Sequence, residues 1–313
     1  MSVAELYQRS YQETLSIVET GGGVDLVFTS PPYCDARTYG EDISWEFKDY
    51  QDLGDCIFRA LKPGGHCLFN VDAPVRAWRS GMGTERGLMP WRILLDWADR
   101  VGFRVVDRLA FARMGLPGAY TGRFRNDWEP LFWFQRPGEG YFDKIPLAGE
   151  AAAGNPGITS SRRSDGTLAL RIASGWAVEE NKKHRGTLWD YGAVGKGQSG
   201  APDIENLNHP ARFPLRLAMD VVACFSPPGG TVCDPFLGGG TTMVAALCQE
   251  RNFTGGDLYG NDEGKSWVEC AAEVGVERFG SGNLALFGME DQHRLRVHFP
   301  DREVCYLGDS EDG

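Results

Sequence analysis

No apolar run in this sequence approaches the roughly 18 residues that a membrane-spanning helix needs, and no signal-peptide pattern opens it. A cytoplasmic chain with no membrane partner is therefore expected. The eight cysteines (Cys34, Cys56, Cys67, Cys224, Cys233, Cys248, Cys270 and Cys305) are scattered, and none forms a C-x-x-C pair. That excludes a disulfide framework and a zinc ribbon, and reduced thiols are expected. Histidine is scarce, with five residues. His209 has no partner at ligand spacing, so no metal is expected. Basic charge is also in deficit, at a formal net charge of -11. Binders of polyanions gain affinity from Lys and Arg, so the total charge speaks against them. Affinity follows local potential, however. Residues 290–313 hold seven acids against three bases, which concentrates part of the deficit at one end. Residues 104–127 hold five arginines against two aspartates, and residues 156–200 hold seven Lys/Arg against four acids.

What is present fits one large α/β domain, or one domain carrying an inserted module, at 42% hydrophobic and 24% charged residues. Residues 4–19 have roughly helical spacing and run into Gly21-Gly22-Gly23. Val24 to Phe28 is a short apolar run ended by Pro31, which predicts a buried strand. Residues 50–61 predict a helix, Lys62-Pro63-Gly64-Gly65 a turn, and His66 to Val71 the next strand. Residues 88–101 predict an amphipathic helix. Phe103 to Ala112 and Glu129 to Gln135 predict strands pairing as an antiparallel edge. Residues 138–205 turn rich in Gly, Ser, Asn and charge, and are expected to be an insertion outside the sheet. Regular patterning returns with a helix from Phe213, a strand Thr231 to Asp234, a helix Thr241 to Cys248, a strand Asn252 to Asp257 and a helix Trp267 to Phe279. Leu284–Leu286, Leu295–Phe299 and Val304–Leu307 have strand character. Strands alternating with helices predict a mainly parallel, doubly wound sheet. No internal repeat is present.

Two runs carry chemistry. Thr29-Ser30-Pro31-Pro32-Tyr33 follows the first buried strand and so lies at its carboxyl end, where such sheets bind ligands. The prolines fix φ, have no N–H, and hold the residues before them extended. The segment therefore offers a hydroxyl and carbonyls to an amine, with Tyr33 as a ring on which a base could stack. Far downstream, Asp234-Pro235-Phe236-Leu237-Gly238-Gly239-Gly240-Thr241-Thr242 joins a strand to a helix. Its glycines permit a close backbone approach to a ligand. The lysine of a phosphate-binding loop is missing. Asp257 ends the next strand, 23 residues after Asp234, where an acid suits ribose hydroxyls. On these residues alone, a structural Pro-Pro turn with a packing Tyr and a glycine turn with no ligand both stay open.

Together, and in this order, the two runs resemble the permuted (β-class) S-adenosylmethionine-dependent DNA amino-methyltransferases, the cytosine-N4 and adenine-N6 family. The resemblance covers nearly the whole chain. It implies a Rossmann-like, circularly permuted α/β methyltransferase sheet that opens before the helix leading into the catalytic strand. Residues 1–137 would form the catalytic half, 138–205 a target-recognition insertion and 206–313 the cofactor half. It implies Ser30, Pro31, Pro32 and Tyr33 as the amine pocket. It implies Asp234, Phe236, Gly238, Gly240, Thr241 and Asp257 around S-adenosylmethionine, joined by Phe213 of Asn208–Pro214 and by Asp309 of Tyr306–Ser310. Core packing for Phe213 and a solvated tail acid for Asp309 are the alternatives. The partner implied is duplex DNA with the target base turned out of the helix, together with a cognate restriction endonuclease. Arg123, Arg125, Arg162, Arg163, Lys182, Lys183 and Arg185 are the expected DNA contacts; an ion pair with Asp127 is the alternative for Arg123 or Arg125. Ser30, where many relatives have Asp, favours cytosine N4 over adenine N6. A catalytically idle DNA-binding module and an RNA or small-molecule amine methyltransferase are the competing readings. The acidic net charge is a departure that bears on duplex affinity.

Overall fold

A computed structural model of the chain describes residues 2–33, 45–77, 84–112, 124–150, 158–162, 168–172, 182–183, 185–191, 214–260, 264–279 and 294–298. In chain order the first elements are β1 (Val3–Tyr7), α1 (Tyr11–Thr20), β2 (Val24–Thr29), α2 (Phe47–Ala60) and β3 (Leu61–Asn70). A short antiparallel pair, β4 (Val75–Ala77) and β5 (Thr84–Arg86), precedes α3 (Met89–Asp96), whose end widens into a π-helical turn at Trp97–Val101. Then come β6 (Arg104–Ala112) and β7 (Trp128–Gln135). The segment Lys144–Gly186 forms a compact unit of its own. It contains β8 (Gly149–Glu150), β9 (Ile158–Arg162), β10 (Leu168–Ile172) and β11 (Lys182–Lys183), paired antiparallel as β9 with β10 and β8 with β11. The rest of the chain adds β12 (Leu188–Trp189), α4 (Leu215–Phe225), β13 (Thr231–Asp234), α5 (Thr241–Cys248), β14 (Asn252–Gly256), α6 (Trp267–Phe279) and β15 (Arg294–His298).

One nine-stranded sheet organises the larger unit, in the order β12-β6-β7-β3-β2-β13-β14-β1-β15. β3, β2, β13, β14 and β1 run parallel; β7 and β15 run against them. The expected doubly wound sheet is present, and so is the antiparallel pairing of β6 with β7. Three details differ from the sequence reading. Residues 3–7 form a strand rather than the start of a helix, and α1 begins only after Ser10, whose side chain and that of Glu13 cap each other's backbone. The chain therefore opens with a strand beside β14, one element earlier than expected. Lys62–Gly65 lies inside β3 as a bulge, because Val24 pairs with Leu61 while Leu26 pairs with His66. Finally, Leu188–Trp189, within the stretch read as insertion, extends the large sheet beside β6. Of the C-terminal strand expectations, Leu295–Phe299 corresponds to β15, while 284–286 and 304–307 lie outside the described residues.

The core explains why these segments hold. β2 is flanked on both sides, with Val27 opposite Cys67 of β3 and Cys233 of β13, and Leu26, Val27 and Phe28 are fully buried. A strand covered on every side reads as a continuous apolar run, which is what Val24–Phe28 is. In α2, Tyr50, Leu53, Gly54, Ile57 and Ala60 are buried at helical spacing. Glycine within a helix costs about 1 kcal/mol, but a Cβ at Gly54 would collide with the Trp97 indole. That indole is fully buried and donates its N–H to the Tyr50 carbonyl at 2.9 Å. Removing a side chain of this size costs about 3–5 kcal/mol, so the packing outweighs the propensity.

Candidate active site

The carboxyl ends of β2, β13, β14 and β3 lie side by side, and the start of β7 reaches the same edge. Both sequence motifs emerge there, from adjacent strands. The Thr29 hydroxyl donates to Asp234 Oδ1 at 2.7 Å, so the two motif loops are joined directly. Asp234 also accepts from the Thr242 hydroxyl (2.8 Å) and the Phe236 N–H (3.1 Å). The Asp234 side chain thus braces the glycine turn from inside.

Asp257, just past β14, braces it from the other side. Its Oδ2 accepts from the Gly238 N–H at 2.9 Å and its Oδ1 from the Tyr259 N–H at 3.0 Å. The Leu237 N–H donates to the Gly256 carbonyl at 3.0 Å. Gly238 and Gly240 both have positive φ, at 47° and 79°. Gly240 precedes α5, and a Cβ there would stand 2.9 Å from that of Ala271 on α6. Backbone conformation and helix packing therefore both demand glycine at this position. Thr241 is buried at the first turn of α5.

Both acids are almost fully buried. Burial pushes the Asp234 carboxyl up to about 7, against the pull of its hydrogen bonds from Thr29, Thr242 and Phe236. Burial likewise pushes Asp257 up to about 6, opposed by the Gly238 and Tyr259 N–H groups. Among the described residues neither carboxylate has a salt-bridge partner. A pair of buried acids held only by neutral donors favours a cationic ligand, and the second lone pairs of Asp257 suit hydroxyls. The residues present therefore fit a cofactor with a positive centre and a ribose.

Ser30–Tyr33 continues β2. Tyr33 is buried, with its hydroxyl 2.9 Å from Asn70 Oδ1 at the end of β3 and 3.1 Å from Glu129 Oε2 on β7. The Ser30 hydroxyl reaches the Tyr33 oxygen at 3.4 Å. The Tyr50 hydroxyl donates to the Pro32 carbonyl at 2.7 Å, which occupies that acceptor and fixes the loop. The ring expected as a stacking platform is thus largely enclosed, and the Ser30–Pro31 edge is the part that offers acceptors. Phe236 packs between Tyr11 and Trp45, at ring distances of 5.5 and 5.4 Å. An aromatic group thereby links the glycine turn to α1 and to the segment preceding α2.

Sequence reading had singled out neither Asn70, Glu129, Thr29 nor Tyr50 as site residues. A polar residue ending an apolar strand was the available signal for Asn70 and Thr29; nothing local marks Tyr50. Of the expected DNA contacts, Arg125 is exposed. Arg185 lies in the Lys144–Gly186 unit with the β-strands that carry Arg162, Lys182 and Lys183. Phe213, Asp309, Arg123 and Arg163 lie outside the described residues.

A mainly parallel sheet with an acid-braced glycine turn after one strand and the Ser30–Tyr33 loop after the next is the arrangement of a Rossmann-like methyltransferase. Comparison with known proteins makes the class specific. Residues 24–262 match the N6_N4_Mtase family, described as DNA methylase, and the chain belongs to that family. The orphan methyltransferase M.BamHII of Bacillus amyloliquefaciens is 26% identical over 240 residues, covering 75% of this chain and 84% of that protein. Among solved structures, the PvuII DNA methyltransferase (cytosine-N4-specific) has a TM-score of 0.60 at 19% identity, covering 88% of this chain and 86% of that one. The M1.HpyAVI–SAM complex has a TM-score of 0.53 at 17% identity, covering 87% and 98%. The shared fold is the finding from these two structures.

Proposed function

We propose that this chain transfers a methyl group from S-adenosylmethionine to the exocyclic N4 amine of cytosine in DNA, with the base turned out of the duplex. The carrying observation is the Thr29–Asp234 hydrogen bond, which sets the Ser30–Tyr33 pocket against the glycine turn. The cofactor supplies an electrophilic methyl on a sulfonium centre. Asp234 contributes negative potential beside it, Asp257 accepts from ribose hydroxyls, and Phe236, Gly238, Gly240 and Thr241 shape the cradle. Phe213 and Asp309 complete it on the sequence resemblance.

The amine nitrogen is a weak nucleophile, because its lone pair is delocalised into the ring. The Ser30 hydroxyl and the Pro31 carbonyl accept its two N–H bonds and favour a pyramidal nitrogen. The Pro32 carbonyl is already taken by Tyr50 and stays with the scaffold. Neither acceptor removes a proton before attack. The proton leaves once the nitrogen carries positive charge and is acidic, so no general base with a tuned pKa is required. The permuted order of the motifs fits the sheet, in which the N-terminal β1 lies beside β14 from near the far end of the chain. The smaller unit, Lys144–Gly186, lies within the stretch assigned to target recognition.

Ser30 in place of Asp selects cytosine N4, since a neutral hydroxyl leaves the Pro31 carbonyl to carry more of the polarisation. Mass spectrometry of digested DNA from cells expressing the chain tests it. N4-methylcytosine is the expected product. N6-methyladenine as the main product would reject this choice and leave the fold and the cofactor turn standing.

A further inference from the structure

The Tyr33 hydroxyl has one proton to give and two buried acceptors within reach, Asn70 Oδ1 at 2.9 Å and Glu129 Oε2 at 3.1 Å. Asn70 alone would hold it. The Asn70 amide donates to the Pro130 carbonyl at 3.0 Å, which turns its oxygen toward Tyr33. Glu129 therefore adds something other than a tether. It adds a carboxylate, in a place where a charge costs more to bury than the neutral amide beside it. In turn, the Tyr33 oxygen accepts from the hydroxyl of half-buried Ser30 at 3.4 Å. That distance is long, as such bonds often are before a substrate binds. Ser30, Tyr33 and Glu129 thus form a file from the more open end of the Ser30–Tyr33 loop to a buried acid. Each hydroxyl in it donates toward the acid.

We propose that Glu129, acting through Tyr33 and Ser30 rather than on the base itself, is the acceptor of the proton that the amine gives up. The proposal rests on the amine-methylating reading given above. As the nitrogen gains a methyl group it gains positive charge and becomes acidic. Its proton passes to Ser30 Oγ, the Ser30 hydroxyl proton passes to the Tyr33 oxygen, and the Tyr33 proton passes to Glu129 Oε2. One N–H and two O–H bonds break and three O–H bonds form, so Ser30 and Tyr33 end unchanged. The nitrogen keeps the electron pair of its N–H bond, and its positive charge cancels the negative charge of Glu129. The carboxylate also favours the charge arriving at the nitrogen, since charges inside a protein are weakly screened. Ser30 is neutral, and the file gives its hydroxyl the backing of a charge that the serine lacks. Once the product leaves, the same file returns the proton to water.

The test follows a single turnover of the full chain, with methyl-labelled S-adenosylmethionine and a duplex carrying the methylation site mapped by sequencing DNA from expressing cells. Glu129→Gln keeps the length and an acceptor but cannot take a proton, and it should slow methyl transfer by about 100-fold or more, as loss of a positioned proton acceptor does. Asn70→Ser should slow it by no more than about 10-fold, the contribution of one ordinary hydrogen bond. Glu129→Gln combined with Asn70→Asp places a carboxylate on the other acceptor of the same hydroxyl, and should be measurably faster than Glu129→Gln alone. In a Tyr33→Phe background, which breaks the file, Glu129→Gln should add little further loss. Affinities for the cofactor by calorimetry and for DNA by fluorescence anisotropy should match the parent in every variant, which separates a proton route from a displaced loop. A combined variant no faster than Glu129→Gln, an Asn70→Ser loss as large as that of Glu129→Gln, or additive losses in the Tyr33→Phe background would overturn the proton route and leave the methyltransferase reading in place. A parent protein that leaves the DNA of expressing cells unmethylated would overturn that reading, and the proton route with it.

Discussion

Replacing Asp234 with asparagine should change how the stability of the protein depends on pH. The Asp234 carboxyl titrates at about 7 in the fold, against an ordinary 3.8. That difference of about 3 in pKa corresponds to about 4 kcal/mol at 1.36 kcal/mol each. Because the folded value is the higher one, the folded state holds a proton that the unfolded chain has lost between roughly pH 4 and 7. The associated stability is present below pH 4 and disappears as pH rises to 7. Asp257, raised to about 6, acts in the same direction. A practical window starts at pH 5.5, above the sequence pI of about 5.0 where solubility is poorest. From there to pH 8, Asp234 alone should cost the wild type about 2 kcal/mol. Asparagine cannot ionise, and it keeps an acceptor for the Thr29 hydroxyl. Asp234→Asn should therefore gain on the wild type by about 4 °C in Tm across the window, at about 2 °C per kcal/mol. Thermal melts of cofactor-free protein at both pH values measure this. The same ionisation favours a sulfonium ligand, so wild-type affinity for S-adenosylmethionine in calorimetry should rise with pH while that of the variant stays flat. Parallel melting curves for the two proteins would refute the reasoning, because they would mean that the carboxylate is already ionised throughout the window.

Tyr33→Phe removes only the hydroxyl that Asn70 and Glu129 share. It should cost about 1–3 kcal/mol in a chemical melt, since both partners are buried, and it should lower turnover more than cofactor affinity; unchanged turnover would limit the hydroxyl to holding the loop. Alanine at Lys182, Lys183 and Arg185 together should weaken DNA binding evenly across sequences and reduce the salt slope by about 1 for each lost phosphate contact. An identical slope in parent and variant would move the DNA track elsewhere, with residues 104–125 the next candidates.

The glycine turn after β13 was legible in the sequence because its constraints are local. Positive φ at Gly238 and Gly240, an acid ending each of two strands, and a helix start all lie within one stretch. β2, α5 and α6 were legible for the same reason, since burial on all sides or on one face writes a continuous or periodic apolar pattern. The errors fell where tertiary pairing decides. Val3–Tyr7 is too short to show its period against the helical pattern that follows, and it is a strand because β14 and β15 pair with it. Leu188–Trp189 is two residues long, and only the register with Ala110 and Phe111 makes it a strand. The enclosure of Tyr33 has no local signature, because its partners, Asn70 and Glu129, stand 37 and 96 residues away. Gly240 was read as making room for a ligand, but its neighbour Ala271 on α6 shows that it also makes room for a helix.

The joining of β2 to β13 has a consequence for how the molecule is made. Thr29 and Asp234 are 205 residues apart. At a synthesis rate of 5–20 residues per second, roughly 10–40 s pass between the two emerging from the ribosome. Throughout that interval the side of β2 that β13 will occupy has no strand to pair with, and an unpaired apolar strand edge is the kind of surface on which nascent chains aggregate. Closing a loop of this length is also slow relative to local pairing. The chain thus brings the Ser30–Tyr33 loop against the glycine turn in one late step, when β13 docks, and a truncated product ending before that strand would carry the first without the second.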